Sequence, residues 1–493
     1  MRKRFLICVI VLLAVFAASA QRRIPCDRAL RDTRLLSTRA VETRVYHTIP
    51  LEGSVRIPVV LVTFSDVGFS DTGEKVRASW DAKLNQTGYG INGAQGSAAD
   101  YFRKQSGGRL ELVFDVFGPV ALPHERAYYG ANAGDEDDLS KVSEMIMGAC
   151  RASGNDFTAY DYDSNKRVDL TIVVFAGRGE NNNGPADAVW PHKYAVMSDG
   201  KIGDMRIFDY ICVAELNARN LEDGHGVICH EVSHSLGLPD LYPIDSDLYS
   251  LFDEWDLMDG GDYANWGYSP PNYSAFERSL LGWGELLELT EPVSVSGMPV
   301  WDTDPVAYVV RNDANPEQYL VLENRRQQGW DSYLPGNGLL VTYVNNYDYS
   351  LAPNVDNVAK VSMIASDNKN YDDYYDLYGE EQKYTSDWHN RYFSMSAYPC
   401  VVDGKLFNEA LTATSLPANP LNKAITNIRV ADDGTISFDF MKESTGIQSP
   451  KHASDAVPVA WFDLQGHILP GLPHHKGTYI VHYSDGTIKK CIR

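Results

Sequence analysis

His230 and His234 stand four residues apart with Glu231 beside the first, in the stretch Cys229-His230-Glu231-Val232-Ser233-His234-Ser235-Leu236-Gly237-Leu238-Pro239-Asp240. On a helix that spacing stacks two imidazoles on one face, one turn apart. Two imidazoles so placed can share one zinc ion, with Glu231 held beside its open position as a base. Gly237 can adopt the left-handed conformation that ends a helix. The chain then turns back and can offer Asp240 as a third ligand. Three protein ligands and one water make a catalytic zinc site, whereas four protein ligands make a structural one. The bland alternative is an amphipathic helix with two solvated histidines. Val227, Ile228, Leu236 and Leu238 argue for a buried element instead. His225 lies five residues before His230, points elsewhere on the helix and is a poor ligand.

A second oxygen-rich stretch is Asp161, Asp163, Asn165 and Asp169. Alternate spacing lets a tight loop aim these side chains at one hard cation, as in a calcium loop. Lys166 stands where such a loop wants glycine, and no bidentate Glu follows at the twelfth position. Any calcium here is expected to be weakly held. The alternative is a polar turn leading into the strand at residues 170–175.

These groups need a scaffold. Residues 57–64 form a continuous apolar run of strand length, of the kind found in central strands covered on both faces. Helices are expected over residues 76–84, from Ser97 as N-cap to the glycines at 107 and 108, and over residues 138–152. Residues 110–116 alternate as a strand, and residues 211–214 read as another. After about Leu289 the pattern changes to short alternating strands between turn residues, at 308–311, 319–322, 338–344, 361–365 and 435–440.

Residues 230–242, HEVSHSLGLPDLY, resemble the active-site signature of the immune inhibitor A-like secreted zinc metalloproteases, of the HExxHxxGxxD type. That resemblance implies zinc bound by His230, His234 and Asp240, with Glu231 as the catalytic residue. Residues 96–130 are similar to the part of the family's catalytic domain that precedes the zinc helix. Residues 254–261 resemble the methionine turn of metzincin-like enzymes, in which a Met, here Met258, forms an apolar floor under the ligands. An ordinary core Met is the alternative. Residues 188–193 resemble a family element near the cleft, which makes His192 a candidate substrate contact; a loop histidine with a structural hydrogen bond is the alternative. In zinc peptidases of this class an edge strand near the zinc helix can pair with an extended substrate, and residues 211–214 are one candidate. Residues 271–281 resemble the family's next helix. Residues 322–325, 329–331 and 334–340 are also family-like, although Tyr343 stands where a histidine is expected. Glu323 is expected to be structural. The tail from Val459 resembles the C-terminal sorting domain of bacteria with type IX secretion, and a small β domain without an address is the alternative.

Composition sets the limits. The chain has 493 residues and a formal net charge of -22, which argues against nucleic acid as a partner. Residues 1–20 have a charged start, an apolar middle and Ala18-Ser19-Ala20 before a cleavage point, as in a secretory signal. No other stretch has transmembrane length, so the mature chain is expected to lack a membrane span and to be secreted or at the cell surface. Cys26, Cys150, Cys212, Cys229, Cys400 and Cys491 are too sparse for a disulfide framework. Cys26 could serve as a latency thiolate on the zinc.

The expected organisation is a signal peptide at 1–20, a leader or short pro-segment at 21–53, a zinc metalloprotease domain at 54–289, a β-rich domain at 290–442, a linker at 443–457 and a sorting-type domain at 458–493. The fold class is α+β, with a zincin-like or metzincin-like catalytic domain, an all-β region and a small β tail. The expected function is a zinc-dependent endopeptidase acting on proteins or peptides, exported with type IX-like secretion machinery. The rivals are a non-catalytic adhesin or glycan-binding protein on a zincin scaffold, and a zinc amidase acting on cell-wall peptides.

Overall fold

The computed structural model describes residues 46–133, 136–244, 250–369, 395–402 and 405–442, and then residues 458–462, 468–469, 478–483 and 488–492. The expected signal stretch, Cys26 with most of the leader, and the linker lie outside the described residues. The chain divides into two compact units, one up to Met441 and one from Lys442 onward.

Strand β1 (Gly53–Thr63) organises the first unit. Side chains alternate across a strand, so Val55, Ile57, Val59 and Leu61 enter one core while Val60 and Val62 enter another on the opposite face. This is the doubly covered strand that the apolar run predicts. Helices α1 (Gly73–Asn85) and α2 (Ala98–Gln105) follow. At the start of α2, Ser97 Oγ accepts from the Asp100 N–H while Asp100 accepts from the Ser97 N–H. That reciprocal pair satisfies two backbone donors and fixes where the helix begins.

Strand β2 (Leu110–Ala121) returns beside β1. Helix α3 (Leu139–Ser153) starts on Asp138 and ends at Gly154, in the left-handed conformation. Then come β3 (Thr171–Arg178), β4 (His192–Ala195), β5 (Asp209–Leu216) and helix α4 (Gly226–Leu236). The sheet order is β2-β1-β3-β5-β4. The first four strands are parallel, and β4 runs antiparallel to β5 at the edge. Residues 211–214 therefore lie inside the sheet, and β4 takes the edge position considered for them.

Ile228, Val232 and Leu236 of α4 share a core with the first face of β1, while Val142, Met145 and Ile146 of α3 cover the other. Helix α5 (Ala275–Leu280) is shorter than the helix expected over residues 271–281. Its start is set by a capping box between Ser274 and Glu277. The residues before it are held extended from outside: the Asn272 N–H donates to Asp331 at 2.9 Å and the Tyr273 N–H to Gln105 at 3.1 Å.

The later strands are β6 (Leu286–Glu288), β7 (Val293–Met298), β8 (Ala307–Arg311), β9 (Gln318–Arg325), β10 (Gly338–Asn345), β11 (Val361–Met363), β12 (Ile425–Val430) and β13 (Ile436–Phe440). They form sheets ordered β6-β8-β9-β10-β11 and β7-β13-β12. Leu320 and Leu322 of β9 pack with Ile428, Ile436 and Phe438, so the two sheets share a core. Val321, on the opposite face of β9, joins the core that holds α4. The region is also pinned by a buried bidentate pair, in which Arg325 donates to Asp331 at 2.8 and 2.9 Å and to the Asn272 carbonyl at 3.1 Å. Forked geometry of this kind makes Arg specific for a carboxylate.

The fold is mixed α/β. The first sheet is mostly parallel with helices on both faces, and the strands after Leu286 form antiparallel-dominated sheets with only a short 3-10 turn, Gly329–Tyr333, among the described helical elements. Among the described residues no helix is long and apolar enough to cross a membrane. The second unit is a four-stranded antiparallel sheet, β15-β14-β16-β17, of β14 (Pro458–Phe462), β15 (Ile468–Leu469), β16 (Thr478–Tyr483) and β17 (Ile488–Ile492).

Candidate metal centre

Helix α4 carries His230, Glu231 and His234, all buried. It ends at Gly237, whose φ of 102° suits glycine. The reversed chain is then fastened twice: the Asp240 N–H donates to the Leu351 carbonyl at 2.9 Å and the Leu241 N–H to the Met258 carbonyl at 2.8 Å. Asp240 is thereby brought against the two imidazoles. Its Oδ1 lies 3.2 Å from His230 Nε2 and 3.1 Å from His234 Nε2.

The far nitrogens explain how the rings are set. His230 Nδ1 lies 2.9 Å from the Leu257 carbonyl oxygen, and His234 Nδ1 lies 2.8 Å from that of Leu238. A carbonyl accepts only, so each Nδ1 carries the proton and each Nε2 presents a lone pair. Such outer partners fix both tautomer and ring direction in metal-binding histidines. Three acceptors thus converge, and both Asp240 oxygens are buried with no hydrogen-bond donor aimed at them. That arrangement repels itself unless a cation sits at its centre. Two imidazoles and a carboxylate suit zinc, and three ligands leave a position for water.

Electrostatics point the same way. Burial pulls the His230 imidazole down, but the neighbouring Asp240 and Glu231 carboxylates outweigh it and raise it to about 10. Burial also favours the neutral form of Asp240, yet the two histidines hold its carboxyl below the usual range. The cluster therefore draws positive charge, which a divalent cation could supply in place of a proton. Burial raises Glu231, partly offset by His230 and His234 and, more weakly, by Lys193.

Met258 is fully buried in the core that includes Ile228, Val232 and Leu236 of α4. Its neighbour Leu257 supplies the carbonyl for His230, so the loop acts on the site through its backbone. Tyr242 stacks near the His230 ring, with centroids 6.5 Å apart and planes at 17°.

Other candidates fare differently. His192 is buried, with Nδ1 2.6 Å from the Trp190 carbonyl and Nε2 2.9 Å from the Tyr210 hydroxyl. Both nitrogens are engaged and burial pushes the ring down to about 4. It is a structural histidine. Its neighbour Lys193 pairs in register with Ile211, whose side chain lies in the α4 core, so Lys193 falls on the side of the sheet that carries Glu231. Lys193 is buried, 3.5 Å from Asp209. His225 is buried apart from the cluster, with its ring edge-on to Trp330.

Asp161, Asp163, Asn165 and Asp169 do not come together as the histidines and Asp240 do. Asp161 accepts from the Asn165 and Lys166 N–H groups, Asp163 from Asn165, Asn165 from Arg167 and Asp169 from Tyr162. The loop spends its oxygens on its own turns, which is the polar-turn arrangement. Glu323 is buried and accepts from the Ala275 N–H at 2.8 Å, at the start of α5, away from the cluster.

Lys193, Leu238 and Leu257 were not legible as site residues. The carbonyls carry no side-chain signal. Lys193 could have been found by alternation once residues 192–195 were taken as a strand.

Residues 81–281 match the family model described as immune inhibitor A peptidase M6, catalytic domain. Over 235 residues the chain is 28% identical to "Immune inhibitor A" of Bacillus thuringiensis subsp. alesti, covering 38% of this chain and 33% of that protein. It is 25% identical over 241 residues to "Pre-pro-metalloprotease PrtV" of Vibrio cholerae, covering 41% of this chain and 25% of that protein. The match thus spans a third or less of these relatives' length. Among solved structures, metalloproteinase-II from Bacteroides fragilis aligns at 14% identity and a TM-score of 0.23, over 47% of this chain and 53% of that one; so slight a likeness carries no argument. Residues 81–281, which include the His230, His234 and Asp240 cluster, are thus similar to the catalytic domain of the immune inhibitor A peptidases M6.

Proposed function

We propose that the chain is a secreted zinc-dependent endopeptidase that hydrolyses peptide bonds in proteins by a metal-activated water. The observation that carries this reading is the convergence of His230 Nε2, His234 Nε2 and Asp240 Oδ1, with no donor to satisfy the buried carboxylate. Zinc held by these three residues supplies Lewis acidity to a water and to the scissile carbonyl. Glu231, next to the first ligand, takes the proton from the water and passes it to the leaving amine. Among the described residues β4 stands at the edge of the sheet, a place where an extended peptide can add as a further strand. Lys193 on that strand places a cation on the Glu231 side of the sheet. The resemblance of residues 81–281 to M6 peptidases supports the same chemistry.

Export is supported by the signal-type residues 1–20 and by the separate four-stranded C-terminal unit. We read that unit as the part handled by type IX-like secretion machinery. A zinc count on purified protein, coupled to digestion of a protein substrate with and without chelator, tests the enzymatic reading. One zinc per chain and chelator-sensitive cleavage are the expected results.

A further inference from the structure

The loop that serves His230 meets helix α5 through two buried carboxyl groups, Asp256 and Glu277. Each has one oxygen committed to backbone. Asp256 Oδ1 accepts from the Met258 N–H at 2.8 Å, and Glu277 Oε2 accepts from the Ser274 N–H at 2.6 Å and the Ser274 hydroxyl at 2.8 Å. The remaining oxygens, Asp256 Oδ2 and Glu277 Oε1, have no donor from any other group among the described residues. The two carboxyl groups lie within hydrogen-bonding reach of each other. Two carboxyl groups can hydrogen-bond only when one of them carries a proton.

The surroundings keep that proton in place. Burial pushes both carboxyls up, and Asp256 pushes Glu277 up further. Arg325 of β9 is the nearest countercharge to Asp256, but its guanidinium is engaged by Asp331 and lies 3.4 Å from Glu323. Asp259 on the loop adds negative charge, while Tyr273 before α5 faces both carboxyls as a neutral group. Tyr101 of α2 also faces both carboxyls, held neutral by burial.

We propose that Asp256 and Glu277 share one proton, and that this shared proton positions the metal centre by fastening the Leu257 loop to helix α5. The inference rests on His230 being a metal ligand, as proposed above. Asp256 is the knot of the loop: one oxygen folds the loop back onto the Met258 N–H, and the other reaches α5. Leu257, between these residues, holds His230 Nδ1, and the Met258 carbonyl holds the Leu241 N–H one residue after Asp240. Loss of the proton sets two carboxylates against each other where water does not screen them. The loop then shifts and His230 loses the acceptor that fixes its tautomer. Asp256 and Glu277 are positioning residues, since neither touches the reacting atoms.

A single amide supplies the proton permanently. In Glu277→Gln the amide oxygen can accept from Ser274 while the NH2 donates to Asp256. The double variant Asp256→Asn/Glu277→Gln sets two NH2 groups against each other or forces one amide to flip, which gives up its contact with Met258 or with Ser274. The test uses the full chain loaded with zinc and follows zinc transfer to a chromogenic chelator across neutral and alkaline pH. Wild type is expected to release zinc faster as pH rises. Glu277→Gln is expected to match wild type at neutral pH and to lack the alkaline rise. The double variant is expected to release zinc about 10-fold faster or more at neutral pH, the scale of a lost outer-shell partner. An alkaline rise in Glu277→Gln equal to that of wild type overturns the inference, as does a double variant no faster than the single one. A wild type that holds no zinc overturns the metal-site reading and this inference with it, whereas zinc held alike by all forms overturns this inference alone.

Discussion

Leu257 holds His230: its carbonyl oxygen lies 2.9 Å from His230 Nδ1, which leaves Nε2 to face Asp240 Oδ1 at 3.2 Å. One imidazole thus joins a loop far along the chain to the ligand that follows the helix. Geometry at the metal centre is set from behind the rings, and changes to that support should act on metal affinity before they act on chemistry.

Asp240 is the member of the proposed ligand set that the helix alone does not provide. Asp240→Asn keeps the volume but removes the charge that two imidazoles and a cation share. Zinc affinity is expected to fall by more than the roughly 10–100-fold lost with an outer-shell partner. Equilibrium competition with a chelator measures it, and an unchanged affinity would remove Asp240 from the ligand set.

Met258 fills the core beneath the site and touches no reacting group. Met258→Ala is expected to destabilise the first unit by about 2–5 kcal/mol, the range for large-to-small core changes. Denaturant unfolding measures that loss. Zinc-saturated kcat should change far less than stability, and the reverse pattern would mean that Met258 acts on the chemistry itself.

Glu323 ties pH to stability. Burial raises its carboxyl from 4.5 to about 7, against the pull of Arg325 and the Ala275 N–H. Between those values the folded chain keeps a proton that the unfolded chain has lost. Its contribution is therefore full below pH 4.5, declines as pH rises to about 7 and is level above that. The decline amounts to about 3 kcal/mol at 1.36 kcal/mol per unit. Comparing urea unfolding of wild type and Glu323→Gln across this range should show a steeper decline in wild type than in the variant, which keeps only the slope of the other buried carboxyls. Parallel curves would contradict it.

The sequence made the metal cluster legible because His230, Glu231 and His234 obey helix spacing and Gly237 marks where the helix stops. The apolar run in β1 announced a strand covered on both faces, and residues 308–311, 319–322 and 338–344 announced short strands by alternation. What stayed hidden was long-range and carried by backbone. Leu257 and Leu238 act through carbonyls, for which side-chain type is silent. Residues 271–273 have helix-compatible chemistry, but Asp331 and Gln105 capture their N–H groups and delay α5 to Ala275. The oxygen spacing at 161–169 fits a calcium loop and an Asx-turn alike, because both use carboxylates at alternate positions. Only the donors around each oxygen distinguish them. His192 looked exposed to chemistry in a loop-like stretch, yet β4 turns it inward to Tyr210 and leaves Lys193 facing the α4 side.

The most direct test is turnover of a protein substrate by zinc-loaded Glu231→Gln beside wild type, with zinc counted in the same samples. The account predicts one zinc per chain in both forms and a fall in kcat of about 10²–10⁴, the usual contribution of a positioned general base. Undiminished cleavage by the variant, or a wild type that cleaves while holding no zinc, would contradict it.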